Sequence, residues 1–404
     1  MEWMDRVDIN KVFELRAKPI CYFGVGAIEK IDDIFNYYAN KGMKNVLFVT
    51  GRSSYKKTGA WDYVEKALEK YDMNYEIYNK IAPNPTVDMV DEATELGREI
   101  NADFVVGIGG GSPIDSAKGV AVLLEYPDQN GRSLYKYEFT PEKAKPIVAI
   151  NTTHGTGTEV DRFAVANIPE DNYKPALVSE VIYPQFSIDD PKLTVGLDKY
   201  QTLATTIDAL NHVNEAATSL ARSPYSIELA RRVIEIIAKY LPIALEDGSN
   251  LEARYWLLYA SALAGICFDN GLLHYTHALE HPLSGINPDV THGIGLGVLL
   301  PAVIKHCHSA VPEIFAYIYE PIVKDYKKAK EDGLFLAKEV ENWLKEMGLT
   351  QKLGDLGFKE EDVDELVELA FNTPSLDILL SLAPVEATKE RVKQIYLDSF
   401  SDIQ

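Results

Sequence analysis

The sequence predicts an α/β protein in two parts: an N-terminal, Rossmann-like domain built on a parallel sheet, then an all-α C-terminal domain. Three observations predict it. Short apolar runs alternate with amphipathic helical stretches as far as Pro191, the pattern of strands buried beneath covering helices. One run, Phe104-Val105-Val106-Gly107-Ile108, ends in Gly109-Gly110-Gly111 immediately before a helix. From Lys199 onward long helical periodicities replace the alternation. Pro191-Lys192-Leu193-Thr194 is the joint, so the expected domains are residues 1–192 and 193–404.

Taken in order, Ile20-Cys21-Tyr22-Phe23 reads as the first strand and leads through Gly24 and Gly26 into a helix from about Ala27 to Asn40. Asn45 to Thr50 is a buried-strand pattern, and a helix from about Ala60 to Tyr71 follows. Tyr75 to Tyr78 is a strand, Asp88 to Glu99 a helix, and Ser112 to Glu125 the helix after the glycines. A polar loop spans about Pro127 to Lys145, before the strand Ile147-Val148-Ala149-Ile150. Thr152 to Asp190 is rich in Gly, Thr and Pro and reads as irregular strands and loops. Helical patterns then run over Leu203–Leu220, Pro224–Lys239, Leu251–Phe268, Leu272–His281 and Leu334–Met347.

At 404 residues the chain exceeds one comfortable core, which agrees with two domains. Forty basic against 61 acidic residues give a net charge of -21, a field that repels a nucleic-acid backbone. Three cysteines without CxxC spacing indicate neither a disulfide framework nor a thiolate metal site. The first residues lack the pattern of a signal peptide, and the longest uncharged apolar stretch, Tyr255 to Phe268, is too short to span a bilayer. A cytoplasmic protein with neither nucleic acid nor membrane as partner is expected.

Chemistry concentrates between Asp208 and His292. Asp208 and His212 are four residues apart in a helical pattern, as are His277 and His281, so each pair shares a helix face. Thr291-His292-Gly293 follows closely. A carboxylate with imidazoles suits ferrous iron or zinc better than magnesium or calcium, which prefer oxygen shells. In the first half, Gly107-Ile108-Gly109-Gly110-Gly111-Ser112-Pro113-Ile114-Asp115 joins strand to helix. Ser112 is expected as the N-cap, Pro113 at the first helical position and Asp115 at capping-box spacing, with the free N–H groups of the helix facing a pyrophosphate. Thr152-Thr153-His154-Gly155-Thr156-Gly157-Thr158 follows the next strand at the same end of the sheet, where open α/β sheets collect their ligands.

With these residues in place the chain resembles the iron-containing, or group III, alcohol dehydrogenases, from about residue 20 to 305. The ordered matches are Phe23-Gly24, Pro83-Asn84-Pro85-Thr86, Gly109-Gly110-Gly111-Ser112-Pro113, Thr152-Thr153, Asp189-Asp190-Pro191, Asp208-Ala209-Leu210-Asn211-His212, His281-Pro282-Leu283 and His292-Gly293. The resemblance implies that Asp208, His212, His277 and His292 bind a divalent metal, iron in most of the family, in the cleft between the two domains. It makes His281 a non-ligand at the active site. It also places Asn84, Thr152, Thr153, Thr156, Val165 and Lys174 with the glycines in a dinucleotide site. Three departures stand out: Asn151 and His154 replace the usual Pro and Ala, Gly51 stands where an acid is usual, and one extra residue precedes His292.

The expected reaction is hydride transfer between an alcohol's carbinol carbon and nicotinamide, with the metal as Lewis acid and His281 as proton relay. Thr50-Gly51-Arg52-Ser53-Ser54-Tyr55-Lys56-Lys57 lacks the acid that favours a free ribose 2'-hydroxyl and offers donors suited to a 2'-phosphate, so NADP(H) is expected over NAD(H). Small alcohols and aldehydes are the expected substrates. The sequence leaves the oligomer open, with a homodimer or higher homo-oligomer compatible. Rival readings are a zinc-dependent glycerol-type dehydrogenase, a dehydroquinate-synthase-like lyase, an H-x-x-E-H peptidase on His277-Ala278-Leu279-Glu280-His281, and a coenzyme-binding module without turnover.

Overall fold

The structure, a computed structural model, describes residues 2–8 and 10–404. Strand formation follows the apolar runs: β1 (Ile20–Phe23), β2 (Asn45–Thr50), β3 (Asn74–Tyr78), β4 (Phe104–Gly109), β5 (Ile147–Asn151), β6 (Phe163–Val165), β7 (Ala176–Val178) and β8 (Phe186–Asp189). Six of them form one sheet in the order β1-β8-β5-β4-β2-β3, every pair parallel. Successive side chains of a strand point to opposite faces, and both faces are covered. Val46 and Phe48 of β2, with Phe104, Val106 and Ile108 of β4, enter one apolar core. Leu47, Val49 and Val105 enter the other. This two-sided burial explains why the central strands read as continuous apolar runs instead of alternating ones.

Because all six strands are parallel, their carboxyl ends lie along one edge. The pairings Thr50↔Ile108, Gly109↔Asn151, Asn151↔Asp189 and Phe23↔Asp189 bring the ends of five strands into register there. The stretch read as irregular, Thr152 to Asp190, contains a central strand. β8, Phe-Ser-Ile-Asp, has only two apolar residues and is defined by its neighbours β1 and β5, not by its own pattern. The same stretch holds the antiparallel pair β6-β7. The loop expected over 127–145 includes a short helix, Gly131–Tyr135, closed by a capping box between Asn130 and Ser133.

Contacts divide the chain into two compact units. One comprises Lys18–Asp198 with Gly248–Ala262; the other comprises the residues up to Ala17, Lys199–Asp247 and Leu263–Gln404. The border differs from the expected one after residue 192 because Gly248–Ala262 returns to the sheet unit, where the Arg254 guanidinium donates to Leu197 O at 2.9 Å. Helix Leu251–Gly271 therefore begins with one unit and ends with the other. Among the described residues no single helix is long and apolar enough to cross a membrane.

In the helical unit, helix Lys199–Thr218 packs against helices Pro224–Glu246 and His292–Cys307. From Thr202 to Thr218 every residue but Thr205 is buried, including Asp208, Asn211, His212, Asn214 and Glu215. Buried polar groups are destabilising unless they are paired or coordinate a ligand, so this helix is where a site is expected.

A second buried charge belongs to the sheet unit. Lys118, fully buried in helix Gly111–Leu123, donates to Asp161 Oδ1 and Thr158 Oγ1 (2.8 Å each), Phe163 O (2.7 Å) and Asp161 O (3.1 Å). It ties the helix after the glycines to the segment leading into β6. Lys118→Met leaves the Asp161 carboxylate buried without its counter-charge and should destabilise the protein by roughly 3 to 5 kcal/mol in chemical denaturation. Unchanged stability would show that water replaces the ammonium.

Candidate functional site

Three helices of the helical unit bring the histidines together. Helix Lys199–Thr218 carries Asp208, His212 and Glu215 on one face by i, i+4, i+7 spacing. Helix Tyr275–Ile286 carries His277, Glu280 and His281, and helix His292–Cys307 opens on His292. Gly293 permits the approach: a Cβ there would stand 1.8 Å from Ala204 O, one turn before Asp208, so only glycine lets His292 reach Asp208. Similarly, a Cβ at Gly271 would stand 2.2 Å from Ala216 O. That close crossing accompanies the stacking of Phe268 on His212, with ring centroids 4.4 Å apart.

The Nε2 atoms of His212, His277 and His292 lie 3.4, 3.6 and 3.8 Å from one oxygen, Asp208 Oδ1. Asp208 Oδ1 and His277 Nε2 are buried without a hydrogen-bond partner. Ligand atoms about 2.1 Å from one ion at tetrahedral angles stand about 3.4 Å apart, so the spacing fits a shared divalent cation. Asp208, His277 and His292 form one group with ligand atoms within 4.8 Å of one another, and Glu280, His281 and His292 form a second that shares His292. His212 lies outside both groups and joins the first through Asp208, its ring stacked on His277 at 4.7 Å. His281 borders the pocket, its ring 5.7 Å from that of His292 and 6.3 Å from that of His277.

Two carboxylates aim the rings. Glu215 accepts from His277 Nδ1 and, through Oε1, from the backbone N–H of His274 (3.0 Å) and His277 (3.2 Å). Glu280 accepts from His292 Nδ1 and from Ser284 Oγ. With Nδ1 held by the carboxylate, Nε2 is the nitrogen that faces the pocket, the arrangement in which a carboxylate fixes a histidine ligand. Burial would raise the Glu215 carboxyl, but the charge and hydrogen bond of His277 hold it down to about 2. Burial would likewise raise Asp208, yet His212, His277 and His292 keep its carboxyl well below the usual range. Both acids stay ionised at neutral pH. Neither aiming role was read from the sequence, although the i+7 position of Glu215 on the Asp208 face was a usable signal. Glu280 is fully buried and bonded through Oε1 to Ser284 and through Oε2 to His292, which makes it an aiming group and not the exposed general base of a peptidase.

In the sheet unit the glycine turn and the threonine loop meet. Thr152 N donates to Gly109 O at 2.9 Å. A Cβ on Gly110 would stand 2.8 Å from Thr153 Cγ2, and one on Gly111 2.7 Å from Thr156 Cγ2. The capping expectation is corrected here. Helix Gly111–Leu123 starts one residue earlier than Ser112, its N-cap is Gly110, and no side chain caps it. Ser112 O accepts from Ser116 Oγ, while the half-buried Asp115 accepts from Thr158 Oγ1 (2.5 Å) and Val165 N (2.9 Å). Glycine at the cap position leaves the first N–H groups of the helix without a side-chain acceptor, which suits an anion better than a serine cap would. Lys174 Nζ donates to Asn84 Oδ1 at 3.0 Å. Gly51, Arg52 and Ser53 follow β2 at the same edge of the sheet, with Arg52 exposed.

A parallel sheet with an uncapped glycine turn at its carboxyl edge, accompanied by a helical unit that gathers imidazoles around one buried carboxylate, is the layout of a metal-dependent alcohol dehydrogenase. Comparison with known proteins gives the particular group. Family descriptions match over residues 19–191 (iron-containing alcohol dehydrogenase) and 202–400 (Fe-containing alcohol dehydrogenase family, C-terminal). The chain belongs to the iron-containing alcohol dehydrogenase family. It is 59% identical over 398 residues to the long-chain primary alcohol dehydrogenase AdhA of Thermoanaerobacter ethanolicus, covering 98% of this chain and 100% of that one. Alcohol dehydrogenase 4 of Saccharomyces cerevisiae is 35% identical, covering 93% and 96%. Among solved structures, NADH-dependent butanol dehydrogenase A of Thermotoga maritima superposes with a TM-score of 0.89 at 29% identity, covering 97% and 99%.

Glu215→Gln should lower affinity for divalent metal roughly 10- to 100-fold, the usual effect of losing a histidine-orienting partner, while circular dichroism stays unchanged. Native metal affinity in this variant, measured by competition with a chelator, would remove Glu215 from the site.

Proposed function

We propose that this chain is an NADP(H)-preferring alcohol dehydrogenase and aldehyde reductase, with ferrous iron held by Asp208, His212, His277 and His292. The observation that carries the reading is the convergence of three imidazole Nε2 atoms on Asp208 Oδ1. When bound, the ion supplies Lewis acidity toward the substrate oxygen and the nicotinamide supplies the hydride acceptor. Glu215 and Glu280 hold Nδ1 of His277 and His292, so both rings stay aimed with Nε2 toward the pocket. Burial of Asp208 and His277 excludes water from the ligand atoms. The N–H groups of Gly111 and its successors bind the pyrophosphate, and Thr152, Thr153 and Thr156 orient it. His281, at the border of the pocket and buried, carries the hydroxyl proton away from the reacting centre. Primary alcohols are the proposed substrates, and the long-chain class named for the 59% identical relative is the first to assay.

His277→Ala should lose metal and turnover together. His281→Gln should keep the metal and lower turnover roughly 10²-fold, the usual scale for an acid-base group. Metal analysis beside an aldehyde-reduction assay separates the two, and loss of metal from His281→Gln would make His281 a ligand.

Coenzyme choice rests on the turn after β2. Arg52, Lys56 and Lys57 are exposed, and among the described residues none of them pairs with an acid, in a chain of net charge -21. A charge-assisted contact to a 2'-phosphate contributes about 1.5 to 3 kcal/mol, enough to decide between coenzymes. A Cβ on Gly51 would meet Ile81 O and Ser54 Oγ at an ordinary 3.5 Å, so an acid can be introduced without a clash at Cβ. The native enzyme should have the higher kcat/KM with NADPH, and Gly51→Asp should lose most of that advantage. Equal or better use of NADH by the native enzyme would show that this turn does not read the phosphate.

A further inference from the structure

His154 occupies the middle of the threonine loop, yet its side chain is only 1% exposed. Its Nε2 lies 2.8 Å from Nη1 of Arg254, and the same guanidinium donates to Gly248 O (2.8 Å) and Leu197 O (2.9 Å). Arg254 is fully buried. Three stretches far apart in sequence, 151–158, 197–198 and 248–254, thus meet at one cation within the sheet unit. Burial, and after it the charge of Arg254, push His154 down to about 3, so its ring is neutral and Nε2 accepts from Arg254. The start of the loop is held separately: Thr152 N donates to Gly109 O, and Thr153 N donates to Asn151 Oδ1, whose own amide donates to Asp189 Oδ1. Beyond His154 the chain passes Gly155 and Gly157, the latter at φ +64°, before Thr158 is held again by Lys118 and Asp115. The middle of the loop therefore depends on the His154 anchor to keep Thr153 and Thr156 against Gly110 and Gly111.

We infer that His154 and Arg254 form a positioning pair that presets the threonine loop for the coenzyme, so that breaking their hydrogen bond weakens coenzyme binding and leaves the metal pocket untouched. The inference rests on the proposed role of Thr152, Thr153 and Thr156 in the dinucleotide site. Preorganisation is the physical reason: a loop held in its bound conformation has no ordering entropy left to lose when ligand arrives. Arg254 is suited to the task because its planar fork can meet acceptors on separate segments at once.

The test compares His154→Phe, which keeps a buried ring but removes the acceptor, with His154→Gln, whose side-chain oxygen can take over the bond from Arg254. NADPH and NADH are titrated by fluorescence into metal-loaded protein without alcohol, and metal content is measured in parallel. His154→Phe should raise the coenzyme Kd about tenfold or more, on the scale of one charge-assisted hydrogen bond. His154→Gln should recover to within about threefold of native on the same scale, and metal content should be equal in all. If His154→Phe does not fold, His154→Asn replaces it, since its shorter side chain falls short of Arg254. A Kd in the acceptor-free variant within twofold of native, or a Gln variant no better than Phe or Asn, overturns the inference. Native protein that binds neither coenzyme overturns instead the dinucleotide reading on which it rests.

Discussion

The structure depends on one buried carboxylate. Asp208 sits in a helix that is almost entirely enclosed, and its Oδ1 faces three imidazoles at distances too long for hydrogen bonds and close to the separations of ligands around one ion. An isolated buried carboxylate is strongly destabilising, so its surroundings must be arranged around it. Gly293 has no side chain because Ala204 O occupies its place; Glu215 and Glu280 are buried because they hold the far nitrogens of two of the rings. Each of these features loses its reason if Asp208 is removed.

The sheet unit answers a different constraint, that of presenting backbone N–H groups where no side chain competes for them. Parallel pairing puts the strand ends in register, and glycine at the cap of helix Gly111–Leu123 keeps its first amides clear. The glycines also serve packing, since Thr153 and Thr156 occupy the space their Cβ atoms would take. A turn shaped only for close packing and one shaped for phosphate have the same sequence. Here Gly110 takes the cap position, and Ser112, a good cap by residue type, is displaced into the helix.

Much of the fold was legible because its signals are local. Buried strands such as Asn45–Thr50 and the helix with Asp208 and His212 carry their periodicity within a few turns of chain, and i,i+4 spacing constrains which side chains share a face whatever surrounds them. Family motifs extended that reading to residues as separate as Asn84, Lys174 and His292. Composition correctly pointed to an ordinary folded protein, and the glycine run correctly marked a strand-to-helix turn.

What the sequence by itself determined is therefore the type of each long element and the chemical kind of the site: carboxylate with imidazoles in helices, glycines and threonines at a sheet edge. Only the tertiary structure decided the rest. It made a central strand of Phe-Ser-Ile-Asp through the ladders of β1 and β5, chose Gly110 over Ser112 as the cap, assigned Glu215 and Glu280 to particular ring nitrogens, and brought Arg254 to His154 across 100 residues. The reason is common to all four. Each outcome is fixed by partners distant in sequence, and a hydrogen bond or a steric contact between distant segments leaves no periodic mark on either of them.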